Sequence, residues 1–236
     1  METQAFSELF ELFSTASQET LEWLLSITEE QEYEPNSKIL TEDTWGNAVH
    51  LIVSGWVKMQ RRGVEKPVTV EILGPGDFFG EIAIIDEPPR GSEIVTFSEV
   101  NSITISAQRF IQILFRDAQV HLRLSKIMLR KMKMYQSRLQ LQKQLPKVKL
   151  TKILLFLGEN YGKPTEKGTE IFNIPYDDLA DLAGINLEET NKNMDGLQSK
   201  GLIEIDESNQ ILYLANLKQL AHIYQSRSIY PIHTSE

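Results

Sequence analysis

The sequence predicts an α+β protein: an antiparallel β barrel or roll, then a long helix, then a small helical unit closed by a β-hairpin. Three observations predict it. From Tyr33 to Thr104 short β-type runs alternate with Gly-, Pro- and Asn-rich turns. Residues 107–145 return to helical periodicity. Beyond Leu145-Pro146 a helix, a glycine turn and a second helix precede two short strand runs. With 236 residues, 41% hydrophobic and 24% charged, the chain has room for one large globular domain or two small ones.

Taken in order, residues 5–28 place Phe6, Leu9, Phe10, Leu12 and Phe13, then Leu21, Trp23, Leu24 and Leu25, at helical spacing. They predict two short amphipathic helices packed on a sheet, with Thr20 and Ser26 as caps or interruptions. The strand runs are Lys38–Thr41, Val49–Val53, Trp56–Gln60, Val68–Leu73, Ser92–Phe97 and Ser102–Ser106. Turns are expected at Pro35-Asn36-Ser37, Trp45-Gly46-Asn47, Arg62-Gly63 and Gly74-Pro75-Gly76-Asp77. A long helix is expected from about Ala118 to Leu145, with Leu124, Met128, Met132, Tyr135 and Leu139 forming a seam. An apolar seam on a helix of that length calls for a partner helix. Leu145-Pro146 is the expected hinge. After it come a helix at 150–160, a polar turn at Tyr161–Pro164 and a strand at Glu170–Ile174. A helix from Tyr176 to the Gly184 turn, a helix over Asn186–Lys200, and a hairpin of Gly201–Ile205 and Ile211–Leu214 complete the chain. The domains read as a β-roll domain at 1–116, a dimerisation helix at 117–145 and a helix–turn–helix domain with a hairpin wing at 146–236.

Composition narrows the chemistry. There is no cysteine, which excludes disulfides, thiol catalysis and Cys-ligated metal centres. His50, His121, His222 and His233 are scattered without metal-ligand spacing, so no metal site is expected. No Ser/His/Asp set or Walker-type loop suggests an enzyme. No run approaches a membrane span, and Met1-Glu2-Thr3 does not open like a signal peptide, so the cytoplasm is the expected compartment. Net charge is −9, yet no acid lies between Asp117 and Glu159, while Arg123, Lys126, Arg130, Lys131, Lys133 and Arg138 are among the bases there. Such a one-sided run suits a solvated face, an anionic ligand, a nucleic acid or an acidic partner.

The most informative stretch is Phe79-Gly80-Glu81-Ile82, followed by Pro89-Arg90-Gly91-Ser92, with Arg90 nine residues after Glu81. A one-turn helix starting near Gly80 aims free N–H groups at an anion. Arg90 is suited to pair with the same phosphate through its planar fork, and Glu81 to accept from a sugar hydroxyl. Gly91 and Ser92 are small enough for their amides to approach a ligand. This stretch resembles the phosphate-binding cassette of the cyclic-nucleotide-binding domain used by the CRP/FNR family of bacterial transcription regulators. The glycines at 55, 74, 76 and 80 stand where that family's jelly-roll turns, and the second domain resembles its winged helix-turn-helix. The resemblance implies a cyclic-nucleotide effector, a homodimer built on the long helix, and promoter DNA as partner.

Two places depart from the family. Where cAMP-responsive members carry a Thr–Ser pair against adenine, this chain has Tyr135 and Gln136, with Arg130, Lys131 and Arg138 near by. A tyrosine stacks on a base, and a cyclic dinucleotide such as cyclic di-GMP fits this chemistry better than cAMP. Gly91 stands where a hydroxyl or alanine is common, its amide expected to remain available. In the recognition helix Leu187 stands where the family has Arg, Glu188 is kept, Glu189 adds a carboxylate, and Lys192 replaces a second Arg. From Tyr176 to Gly201 six acids face two bases, a balance that repels phosphates. Either DNA is read weakly by Asn186, Glu188, Asn191, Lys192 and Asn193, or the module has turned to protein contacts. The functional readings are therefore a ligand-responsive transcription regulator, or a nucleotide-sensing adaptor that acts through another transcription regulator or RNA polymerase.

Overall fold

A computed structural model of the chain describes residues 2–87 and 90–226; Pro88, Pro89 and His233 lie outside them. The chain forms two compact units, Met1–Tyr135 and Gln136–Glu236.

In the first unit, helix α1 (Thr3–Leu9), a 3-10 turn (Glu11–Phe13) and helix α2 (Gln18–Ile27) lead into the sheets. Ser17 rather than Thr20 caps α2: its hydroxyl accepts the Thr20 N–H at 3.1 Å. Ser26 does not interrupt the helix, because its hydroxyl is satisfied by the Trp23 carbonyl. Strands β1 (Glu29–Tyr33), β2 (Lys38–Leu40), β3 (Ala48–Ser54), β4 (Val57–Arg61), β5 (Val68–Leu73) and β6 (Phe78–Phe79) follow. A single helical turn α3 (Ile82–Ile85) precedes β7 (Ser92–Thr96) and β8 (Val100–Ser106). All pairings are antiparallel, in two four-stranded sheets ordered β1-β8-β3-β6 and β2-β7-β4-β5. This is the expected jelly-roll.

Period-two alternation explains how one sheet serves two cores. On β3 and β8, Val49, Leu51, Ile103 and Ile105 pack against the phenylalanines of the N-terminal helices. On the opposite face Ile52 and Val100 meet Val57, Leu73 and Ile94 of the second sheet. His50 falls on that inner face, stacked on Phe79 with centroids 5.0 Å apart. Burial pushes its imidazole down to about 4, so it is a neutral core residue. Strand β1 is not legible in the sequence: Glu29-Glu30-Gln31-Glu32 reads as loop. It lies on the sheet edge and pairs only with β8, and an edge tolerates charge that an inner strand does not.

Helices α4 (Ala107–Arg116) and α5 (Ala118–Gln140) meet at Asp117. Its carboxylate accepts the Ser17 N–H and Thr20 hydroxyl, each at 2.9 Å, and the Gln119 N–H at 3.0 Å. Burial works against the charge, but these donors outweigh it and hold the carboxyl below the usual range. Helix α5 turns Val120, Leu124 and Ile127 into the N-terminal core, with Met128 packed on it. The expected seam is therefore split: Leu124 and Met128 serve their own unit. Leu122, Leu129, Met132, Tyr135 and Leu139 are the large apolar or aromatic residues exposed along the helix. The helix ends at Gln140, five residues short of Leu145, and a 3-10 turn (Leu141–Lys143) follows. Leu145 is extended, as a residue before proline prefers, and Pro146 opens the next helix at a position where its missing N–H costs nothing.

The second unit contains α6 (Pro146–Tyr161), β9 (Lys163–Thr165), β10 (Gly168–Phe172), α7 (Tyr176–Ala183), α8 (Leu187–Gln198), β11 (Ile203–Asp206), β12 (Ile211–Leu214) and α9 (Leu217–Ser226). Its sheet order is β11-β12-β10-β9. Lys163-Pro164 is thus not just a turn; Pro164 is accommodated because β9 is an edge. The unpredicted α9 closes the unit with Leu220 fully buried, and Gly158 of α6 lets Leu214 and Leu217 approach closely.

Candidate functional site

The cassette is built by a glycine that no other residue replaces. Gly80 has φ +96°, and a Cβ there would stand 2.4 Å from the Ala48 carbonyl oxygen. The turn delivers Glu81 into the protein at 2% exposure, directly before α3. Burial raises the Glu81 carboxyl's pKa, and the nearby Lys131 charge opposes that rise. Ile82 on α3 is exposed. Beyond the prolines Arg90 is exposed, and Gly91 adopts φ +65°.

The Gly91 amide is not available as expected. It donates to the Glu42 carboxylate at 2.9 Å, while the Gly91 carbonyl accepts the Arg62 N–H. Ser92 is fully buried; its hydroxyl accepts from Arg61 Nε at 3.2 Å and its carbonyl from the Trp45 indole at 2.8 Å. The loop after β2 therefore sits on the cassette strand. Beside it opens a cleft of about 330 Å³ lined by Lys38, Glu42, Arg61, Arg62, Gly91 and Glu93.

Across the roll, α5 contributes Lys131 and Tyr135. Lys131 Nζ lies 3.2 Å from Glu71 of β5, and the Tyr135 hydroxyl donates to the other Glu71 oxygen at 2.9 Å. Burial disfavours the Lys131 charge, but the fields of Glu71 and Glu81 overcome that and raise its pKa. Glu71, Glu81, Asp77, Lys131 and Tyr135 thus form one electrostatic cluster. Glu71 is the member the sequence does not announce, because Val68-Thr69-Val70-Glu71-Ile72 alternates and so assigns Thr69 and Glu71 to an outward polar face, whereas the structure buries both. Its register opposite Met59, which packs on the core between the sheets, decides the face.

The other expected ligand residues go elsewhere. Arg130 pairs with Glu11 of the N-terminal turn, as does Arg123 at 3.4 Å. Gln136 and Arg138 belong to the second unit. Gln136 is exposed, and Arg138 donates to the Leu182 carbonyl at 2.8 Å. With Lys149, which donates to the Gly184 carbonyl at 3.3 Å, it supplies positive charge at the C-terminal end of α7.

The α7–α8 turn is made by Gly184 in the left-handed region, φ 59°. Asn186 then caps α8 in a capping box with Glu189: its side chain accepts the Glu189 N–H at 2.7 Å and the Glu189 carboxylate faces the Asn186 N–H. Asn193 donates to the Glu189 carbonyl at 2.7 Å. Two members of the expected DNA-reading set are therefore occupied within the helix. Glu188, Asn191 and Lys192 are exposed, beside Leu187 and Asp195.

Residues 30–117 match the cyclic nucleotide-binding domain family, and residues 148–223 match the Crp-like helix-turn-helix domain. The chain belongs to the CRP/FNR family of transcription regulators. It is similar to the CRP-like cAMP-activated global transcriptional regulator of Mycobacterium tuberculosis, 24% identical over 74% of this chain and 79% of that one. It is also similar to the cyclic AMP receptor protein of Thermus thermophilus, 24% identical over 82% and 88% of the two chains. Its fold matches FixK2 of Bradyrhizobium japonicum, with TM-score 0.70, 16% identity, and 83% and 96% of the chains covered. It likewise matches the c-di-GMP responsive regulator CLP of Xanthomonas campestris, with TM-score 0.63, 20% identity, and 85% and 100% covered. Among the described residues of this CRP/FNR protein, no helix is long and apolar enough to cross a membrane.

Proposed function

We propose that this CRP/FNR protein is an effector-gated transcription regulator that works as a homodimer. Its effector is a cyclic nucleotide, with a cyclic dinucleotide such as cyclic di-GMP preferred to cAMP. The observation that carries this is the pairing of Glu71 of the roll with Lys131 and Tyr135 of α5, with Glu81 of the cassette in the field of the same Lys131. A ligand bound there touches the roll and the long helix together, and a ligand shifts an equilibrium only by contacting both states differently. Glu81 accepts from the ribose, and Arg90 swings from solvent to pair with the phosphate, which competes with Glu42 for the Gly91 amide.

The exposed Leu122, Leu129, Met132 and Leu139 support pairing of α5 with its copy. Calorimetric titration of cAMP, cGMP and cyclic di-GMP tests the effector reading; no binding by any of them overturns it. Sedimentation of Leu129→Glu tests the dimer, which this variant is expected to dissociate.

The acidic face of α8 supports a second reading, in which the winged unit binds a regulator protein or RNA polymerase instead of promoter DNA. Salt-dependent DNA retention separates the two: retention at low salt favours direct reading, and none favours the adaptor.

A further inference from the structure

We propose that Glu71 is the specificity-determining residue of the effector pocket and selects a guanine base. The inference rests on the proposed cyclic-nucleotide effector and deepens it.

Glu71 is a carboxylate in an apolar wall. It shares the inner face of β5 with Leu73 and stands opposite Met59, at 9% exposure. A buried charge is costly unless it is paired and hydrogen-bonded. Both partners come from α5: Lys131 at one oxygen and Tyr135 at the other. A packing role alone is met more cheaply by an apolar residue of similar volume.

The balance of the cluster defines what it accepts. Among the described residues, Lys131 is the cation whose charge meets Glu71 and Glu81, and Asp77 adds a third carboxylate to its surroundings, so acceptors exceed donors. A carboxylate offers about four lone-pair sites, of which Lys131 and Tyr135 take two. Whatever sits against Glu71 must bring hydrogen-bond donors. Adenine and cytosine each present an amino donor beside an unprotonated ring nitrogen, whose lone pair opposes the carboxylate. Uracil presents one N–H between two carbonyl oxygens. Guanine alone sets a ring N–H and an amino N–H side by side, matching the two oxygens as an arginine fork does. Tyr135, already bonded to Glu71, holds the carboxylate in orientation. Glu81 on the cassette meets the ribose of the same nucleotide.

The test is calorimetric titration of the full chain with cGMP, cyclic di-GMP and cAMP, in wild type and in Glu71→Gln. Glutamine presents one acceptor and one donor, complementary to adenine. Wild type is expected to bind the guanine ligands at least about tenfold tighter than cAMP, and Glu71→Gln to reverse that order. The cGMP and cyclic di-GMP arms separate a mononucleotide from a dinucleotide effector. Equal change toward all three ligands, or a wild-type preference for cAMP, overturns the role of Glu71 while leaving the effector reading standing. Failure of wild type to bind any of them removes the effector reading, and this inference with it. Should Glu71→Gln not fold, Glu71→Asp decides: withdrawal of the carboxylate by one methylene is expected to weaken the guanine ligands and spare cAMP.

Discussion

In the roll, the lysine of α5 that faces inward ends on a buried carboxylate; in the winged unit, Glu188 and Asp195 of α8 stand in solvent with Lys192. The same contrast holds for the polar hubs that organise each unit. Asp117 gathers donors from α2 and α5 in a buried joint, whereas Asn186 and Glu189 cap α8 at the surface. The apolar pattern that makes both units recognisable as CRP/FNR domains is thus independent of the charges they show to ligand and nucleic acid. In the first unit the hub is buried internal geometry; in the second the hub caps a helix whose Glu188, Asn191 and Lys192 stay exposed.

Four experiments probe this contrast. The largest effect is expected at the hubs. Asp117→Ala strands several donors and should cost about 2–4 kcal/mol, against about 1 kcal/mol for Asn186→Ala at an exposed cap, both read by urea unfolding. Equal losses would erase the distinction.

His50 tests how dry the inner face of the roll is. Its imidazole sits at about 4 in the folded protein against an ordinary 6.5. The unfolded chain takes the proton first as pH falls, so this contribution is complete above pH 6.5 and lost on the way down to about 4. The loss should approach about 3 kcal/mol by linkage. His50→Phe, which keeps the stack on Phe79, should flatten the wild-type decline between pH 7 and 4.5.

Arg90→Ala should weaken effector binding roughly 10–100-fold, about 1.5–3 kcal/mol for a hydrogen bond to a charged group. Its thermal midpoint should stay unchanged, since Arg90 is exposed. The smallest effect is on the winged unit: Glu188→Lys should steepen the salt dependence of DNA binding by about one unit of log–log slope. An unchanged slope would place α8 away from the phosphates.

Much of this was legible in advance, and the exceptions have physical causes. The six expected strands of the roll from Lys38 onward announce themselves by their β-type runs and the turns between them, whereas β6, two residues long, is too short to show a pattern. β1 does not announce itself, since an edge strand has little need of apolar residues, and β9 hides behind Pro164 for the same reason. The seam on α5 was half misassigned because periodicity reveals that a helix has an apolar stripe and not which neighbour takes it. Leu124 met the N-terminal phenylalanines, leaving Leu122, Leu129 and Met132 outside. At the ligand site Gly80, Glu81 and Arg90 are readable as a local motif, but Glu71 takes its meaning from Tyr135, 64 residues along the chain, and from Lys131 one turn before it, and such non-local contacts carry no sequence period.

By itself, the sequence determined the family, the roll, the long helix and the glycine-turned helix pair, because these follow from short-range rules: alternation, capping and positive-φ turns. Only the tertiary structure decided where the charges go. Arg130 turns to Glu11, Arg138 to the end of α7, Glu42 to the Gly91 amide, and Lys131 with Tyr135 to Glu71. Long polar side chains reach partners set by the packing of distant elements, and a buried charge must find its counterpart there or not be charged.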